Sequence, residues 1–227
     1  MGDEKAGHSG GNGSGEESLL NGISQRDTLV DPPPSQEEPL AEERELEPMP
    51  SNVAELCAAC VRFVAAKYGV ALDFSTDTLS LLDQYVRDAR PELREKPESI
   101  DLLQAALGAY LGEVIRRAHH GLWDTDGEHD GWRVVMTRVY LAFNPIGMVR
   151  EALLVEQAPG WNAHLETDPG ERDTLDERLA MLPSVDEEEF FAPTTRFDVV
   201  EVAVDALAAH MRQTGLGDVR FSLEDYS

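Results

Sequence analysis

The stretch from Ile100 to Ala118 constrains the fold more than any other. Ile100, Leu103, Leu107, Tyr110, Leu111, Val114, Ile115 and Ala118 recur at spacings of three and four, the period of one helical face. Ala105, Gly108, Ala109 and Gly112 lie beside that stripe. A glycine inside a helix costs about 1 kcal/mol against alanine. Two of them at i, i+4 therefore imply that another element's backbone comes close there. Arg116, Arg117, His119 and His120 crowd the end of the helix, where the macrodipole favours cations. The period then changes. Leu122-Trp-Asp124 and Trp132-Arg-Val-Val-Met136 predict two arms of a hairpin around an acidic turn with Gly127 and Gly131. A buried helix running straight into a hairpin points to the α+β class, with helices packed on a small antiparallel β-sheet.

The flanking segments fit that frame. Asn52 with Glu55 predicts a capping box, and Val53, Leu56, Cys57, Cys60, Val64 and Tyr68 follow helical spacing up to Gly69. A second helix begins after Ser75, carries Leu79, Leu82 and Val86, and is expected to stop at Pro91, leaving residues 90–97 as a charged loop. Alternation of Val139, Leu141 and Phe143 extends the sheet to about 143. Asn144-Pro145 is an N-cap with proline at N1, starting a helix to about Gln157. Trp161 to Leu165 is a candidate edge strand. Leu175, Leu179 and Leu182 mark a short helix, Ser184 with Glu187 a capped acidic turn, and Thr195 with Asp198 the start of a longer helix bearing Phe197, Val200, Val204, Leu207 and Met211 and closed by Gly215. Val219, Phe221 and Leu223 alternate as a last strand.

Residues 1–50 lack periodicity. They are Gly/Ser-rich, then Pro/Glu-rich, with 12 acidic and 3 basic residues. Such a composition buries too little apolar surface to offset chain entropy, so a disordered acidic tail is expected there and a single domain over 51–227. Within it, Leu19, Leu20 and Ile23 form a small apolar island read as part of a linker. The N-terminus has neither a basic nor an apolar leader region, and Ala6 replaces the Ser or Thr of a myristoylation signal, so a cytoplasmic location is expected. The formal net charge of −25 opposes binding to nucleic acid or to an anionic membrane surface. It is explained by solubility alone, or else fits a basic protein partner attracted at short range.

Gly108-Ala-Tyr-Leu-Gly-Glu113, then Gly121-Leu-Trp123, then a strand ending at Asn144-Pro145 and a helix, form an order that resembles a group of uncharacterised bacterial domains. In that group a G-x-x-x-G-E helix leads into a Trp-bearing hairpin and a proline-started helix. The resemblance covers about residues 75–155. It implies helices on a small antiparallel sheet and no particular activity.

Candidate chemistry is sparse. Cys57-Ala-Ala-Cys60 matches C-x-x-C, but Cys57 lies more than a turn inside its helix and both cysteines fall on the apolar stripe, so they are expected to pack rather than react. His119, His120, Asp124, Asp126, Glu128, His129 and Asp130 concentrate metal-ligand types. An EF-hand loop starting at Asp124 needs Gly at its sixth position and Glu at its twelfth, where His129 and Val135 stand, and adjacent His119 and His120 point apart, so no metal is expected. Asp186-Glu-Glu-Glu189 followed by Phe190-Phe191 is read as a solvated helix start with anchoring aromatics rather than a docking patch. No P-loop, dinucleotide fingerprint, nucleophile elbow or H-E-x-x-H is present, and no cofactor is expected. The binding candidates are Glu113, Arg116, Arg117, His119, His120 and Trp123. The favoured expectation is a non-enzymatic protein-interaction or regulatory module. The alternative is a small metal-dependent or hydrolytic enzyme using the 119–130 cluster.

Overall fold

The computed structural model describes residues 46–227; the expected tail lies outside the described residues up to position 45. Helix α1 (Ser51–Tyr68) buries Val53, Cys57, Cys60 and Val64, and ends at Gly69, whose φ of 70° only glycine adopts without strain. Its N-cap is Pro50 rather than the expected capping box. Asn52 sits inside the first turn, and its Oδ1 accepts from Val53 N at 2.9 Å.

Helix α2 (Leu79–Glu95) follows a 3-10 turn at Thr76–Thr78 and runs through Pro91 instead of stopping there. An interior proline forfeits one ladder hydrogen bond and costs roughly 3 kcal/mol. Burial of Ala89 and Leu93 on the same face as Leu79, Leu82 and Val86 offsets that cost. So does Arg90, whose Nε and Nη2 both donate to Ala152 O at 3.1 and 2.9 Å. The expected charged loop is thereby drawn into the helix.

Helix α3 (Ile100–His119) is the central element, buried without interruption from Gln104 to Arg116. The stripe read from sequence understates this, because both α1 and helix α4 (Pro145–Leu154) pack against α3. The two glycines are where α4 and the hairpin press in. A Cβ on Gly108 would stand 2.4 Å from Ile146 Cα, and one on Gly112 would stand 2.4 Å from the Trp123 ring and 2.6 Å from Pro145 Cγ.

The sheet is β1 (Gly121–Asp124), β2 (Arg133–Met136), β3 (Leu141–Phe143) and β4 (Glu166–Thr167), antiparallel in that order. Leu122 pairs with Val135, Val135 with Ala142, and Leu141 with Thr167. The edge strand lies beyond the expected 161–165. That segment is pinned to α4 instead: Asn162 O accepts from Asn144 N at 3.1 Å, and a Cβ on Gly147 would meet Trp161 O at 2.5 Å. Asn144 caps α4 as expected, accepting from Ile146 N and Gly147 N at 2.9 Å each.

Helices α5 (Arg172–Leu179), α6 (Glu187–Phe190) and α7 (Pro193–Gln213) complete the domain. Asp186, not Ser184, caps α6. The start of α7 is capped from another helix: Asp83 on α2 accepts from Thr194 N at 3.0 Å and from Thr194 Oγ1 at 2.6 Å. The expected last strand is absent from residues 219–223. Phe221 N donates to Thr137 O at 2.9 Å, and a 3-10 turn, Leu223–Tyr226, follows. Tyr226 stacks on Tyr140, donates its hydroxyl to Met136 O at 2.8 Å and accepts from Leu141 N at 3.0 Å. Residue parity sends Val134, Met136 and Phe143 into the main core with α3, while Val135 and Ala142 are covered by this C-terminal turn.

Candidate functional site

Four of the six residues singled out from sequence meet at one point. The Glu113 carboxylate is fully buried and accepts four hydrogen bonds. Arg116 grips it with Nε and Nη2 at 2.8 and 2.9 Å, Arg117 Nε donates at 2.7 Å, and Trp123 Nε1 donates at 3.1 Å. Burial by itself would raise the carboxyl; the two arginines and the indole reverse that and hold Glu113 below the usual carboxylate range. Arg116, itself buried, extends Nη1 to Glu47 O at 2.9 Å and so ties the segment before α1 to α3. Arg117 is partly exposed and lies 4.2 Å from the centroid of the Phe74 ring. The geometry is that of an interior knot joining α3, β1 and the chain before α1. Its donors and acceptors are turned on one another, with Arg117 left partly exposed at its edge.

His119 and His120 go elsewhere. His119 packs at 5.7 Å from the Phe197 ring of α7, with Nε2 buried and without a hydrogen-bond partner. Burial lowers its pKa, and the carboxylates of Glu201 and Asp205 work against that. His120 is the left-handed cap of α3 with φ of 57°, and its carbonyl accepts from Thr137 Oγ1 at 2.7 Å. The acidic turn is held by its own set of contacts. Asp124 pairs with Arg133 at 2.7 Å, Asn144 Nδ2 donates to the carbonyls of His129 and Asp130 at 2.9 Å each, and His129 stands edge-on to Trp132. Among the described residues, no three His, Cys, Asp or Glu side chains come together as a metal site. Cys57 and Cys60 are buried in the core, and burial pushes the Cys57 thiol up to about 12.

A different surface gathers charge. Asp83, Asp186, Glu188, Glu189 and Asp198 line one cleft of about 360 Å³ between α2, α6 and the start of α7. Asp198, Glu201 and Asp205 continue it along the exposed side of α7 at i, i+3 and i+7. Arg90, at this cleft, is engaged by Glu188 at 2.6 Å. Arg196 is engaged by Glu151 at 2.7 Å. Desolvation, followed by the neighbouring Glu201 and Asp83 charges, raises the Asp198 carboxyl. The acidic side of α7 was legible as periodicity opposite its apolar stripe. Asp83 was not, because nothing in sequence joins it to residues more than a hundred positions later.

The sequence model of a family of unknown function, DUF6278, matches residues 30–144, half of the chain. The chain belongs to this family. The match takes in α1 to β3 and ends at Asn144, the cap of α4, so it overlaps the expected 75–155 but starts earlier and stops sooner. No curated protein and no solved structure matches the chain. The acidic cleft at α6 and α7 lies mainly in the part that the DUF6278 match leaves out.

Proposed function

We propose that this DUF6278 protein is a non-enzymatic interaction module whose acidic face, from α2 across α6 to α7, engages a basic protein partner. The supporting observation is the crowding of like charge around Asp198. Its carboxyl is driven up by partial burial together with Glu201 and Asp83, while Arg90 is already paired. A cation delivered by a partner relieves that repulsion, and the net charge of −25 steers such a partner inward over about one Debye length, roughly 8–10 Å. Two arginines stand at this cleft, Arg90 paired with Glu188 and Arg87 donating to Gln84, against five acidic side chains lining it.

The test is cross-linked capture from the native cell with tagged protein, alongside Asp198→Lys/Glu201→Lys. A stoichiometric basic protein is expected, its recovery falling with added salt and with the charge reversal. Repeated captures that yield nothing stoichiometric, or a partner indifferent to both, would sink the reading.

A further inference from the structure

Beside the acidic cleft, α6 presents an apolar feature that folding leaves open. Phe191 is buried, whereas its neighbour Phe190 is 45% exposed and Val185 is 38% exposed. Val185, Phe190 and Phe191 line one groove of about 530 Å³ together with Glu156, Gln157, Asp186 and Glu187. Across the two rings lies a second hollow of about 430 Å³, bounded by Gln157, Pro159, His164, Phe190, Phe191 and Arg196. The phenylalanine pair forms a ridge shared by both.

That ridge is held from behind. The Arg196 guanidinium lies 4.6 Å from the Phe190 centroid and 5.3 Å from that of Phe191, and Glu151 fixes its Nη2 at 2.7 Å. Arg90, anchored on Ala152 O, grips Glu188 of the same helix at 2.6 Å. Four residues of helix would not hold their place unaided, since short helices draw their stability from tertiary packing. Two arginine contacts from α2 and α7 set the exposed ring in position, which lowers the ordering cost of binding there.

Charge decides what the groove accepts. Glu156, Asp186 and Glu187 rim it, and among the described residues none of the three forms an ion pair. A second copy of this chain brings a charge of −25 of its own, and the N-terminal 50 residues bring 12 acidic against 3 basic side chains. Both are repelled. We propose that this groove seats a short, basic, amphipathic segment of the partner protein. One apolar side chain enters against Val185, Phe190 and Phe191, and flanking Lys or Arg side chains meet Glu156, Asp186 and Glu187. This rests on the interaction reading above and narrows it to one seat and one kind of ligand.

The experiment is fluorescence anisotropy of the full chain with a labelled short peptide alternating Leu with Lys and Arg. A second peptide carries Gln at every Lys and Arg position, and poly-lysine serves as a purely electrostatic probe. Saturable binding of the basic peptide is expected, weakened about tenfold or more by Phe190→Ala, as for an anchor residue in a pocket. Glu156→Gln/Glu187→Gln should weaken it several-fold at low salt and less at high salt. Phe190 and both glutamates are surface side chains, and a circular-dichroism melt checks that the variants fold. If poly-lysine binds while the Leu-containing peptide is insensitive to Phe190→Ala, the groove is overturned and the broader acidic-face reading survives. If the Gln peptide binds as well as the basic one, charge complementarity fails and the proposal with it. If sedimentation shows a dimer that Phe190→Ala dissolves, the occupant is a second copy and the proposal is wrong. If neither basic probe binds, both readings fall together.

Discussion

Truncating Glu113 to alanine tests the interior knot directly. The carboxylate neutralises Arg116, whose side chain is only 3% exposed, and accepts the buried Trp123 Nε1. Its loss leaves a guanidinium buried with Glu47 O as its remaining partner and an indole N–H with none. Removing one partner of a buried ion pair costs about 3–5 kcal/mol. The orphaned indole places Glu113→Ala toward the upper end, since an unpaired buried donor costs roughly 1–3 kcal/mol. Against a total stability of about 5–15 kcal/mol this is a large fraction. Urea unfolding at neutral pH measures it as a shift in midpoint at unchanged slope. The double variant Glu113→Leu/Arg116→Met removes both charges and should recover most of the loss, leaving about 1–2 kcal/mol for the unpaired indole and the Glu47 carbonyl. The pH dependence has a defined sign. The folded-state pKa of Glu113 is depressed, so its contribution is fully present above the unfolded value of about 4.3 and is lost as pH falls through the lower folded value. The gap between wild type and Glu113→Ala should therefore hold from neutral pH to about 5 and shrink below about 4. A single-variant cost under about 1 kcal/mol, or a double variant no more stable than the single, would refute the knot.

Gly108→Ala should destabilise by about 1–3 kcal/mol despite the better helix propensity of alanine, because Ile146 backbone must move; differential scanning calorimetry would read a lower Tm. Asp83→Ala removes the cap that α2 lends to α7 and should cost about 1 kcal/mol in urea unfolding. Tyr226→Phe strips a hydroxyl from the outer face of the sheet, leaving Leu141 N without that acceptor, and should cost about 1–3 kcal/mol, with faster amide exchange at Leu141. Asp198→Asn should stabilise slightly at neutral pH, within about 0.5 kcal/mol. Because the Asp198 carboxyl is raised in the fold, that gain should be full above its folded value, shrink as pH falls through it and be gone below the ordinary unfolded value, as thermal melts across pH would reveal.

Local sequence was enough for the features that depend on period and on steric demand. The α3 stripe up to Ile115, the flanking hairpin, the cap at Asn144 and the close backbone approach at Gly108 follow from spacing or from the cost of a mid-helix glycine, and each stands as expected, whereas Gly112 makes room for the Trp123 and Pro145 side chains rather than for backbone. The misses share a cause. Pro91 stays in α2, Asp83 caps α7, residues 161–165 bind α4 rather than the sheet, and the last predicted strand is a turn latched by Tyr226. In each case a contact across the chain outweighs the local preference, and such contacts leave no periodic trace. The same holds for the candidate site. Residue types alone nominated Glu113, Arg116, Arg117 and Trp123; helical spacing brought the first three together, and the turn of the chain into β1 brought Trp123. Whether that cluster faced water or the core was decided by α1 and the segment before it closing over α3. The sequence by itself determined a central helix, a hairpin and an excess of negative charge. Only the tertiary structure decided that Glu113, Arg116 and Trp123 are buried while Arg117 stays partly exposed, and that the acidic side chains and Phe190 lie at the surface, because burial is a property of what packs on a residue, not of the residue.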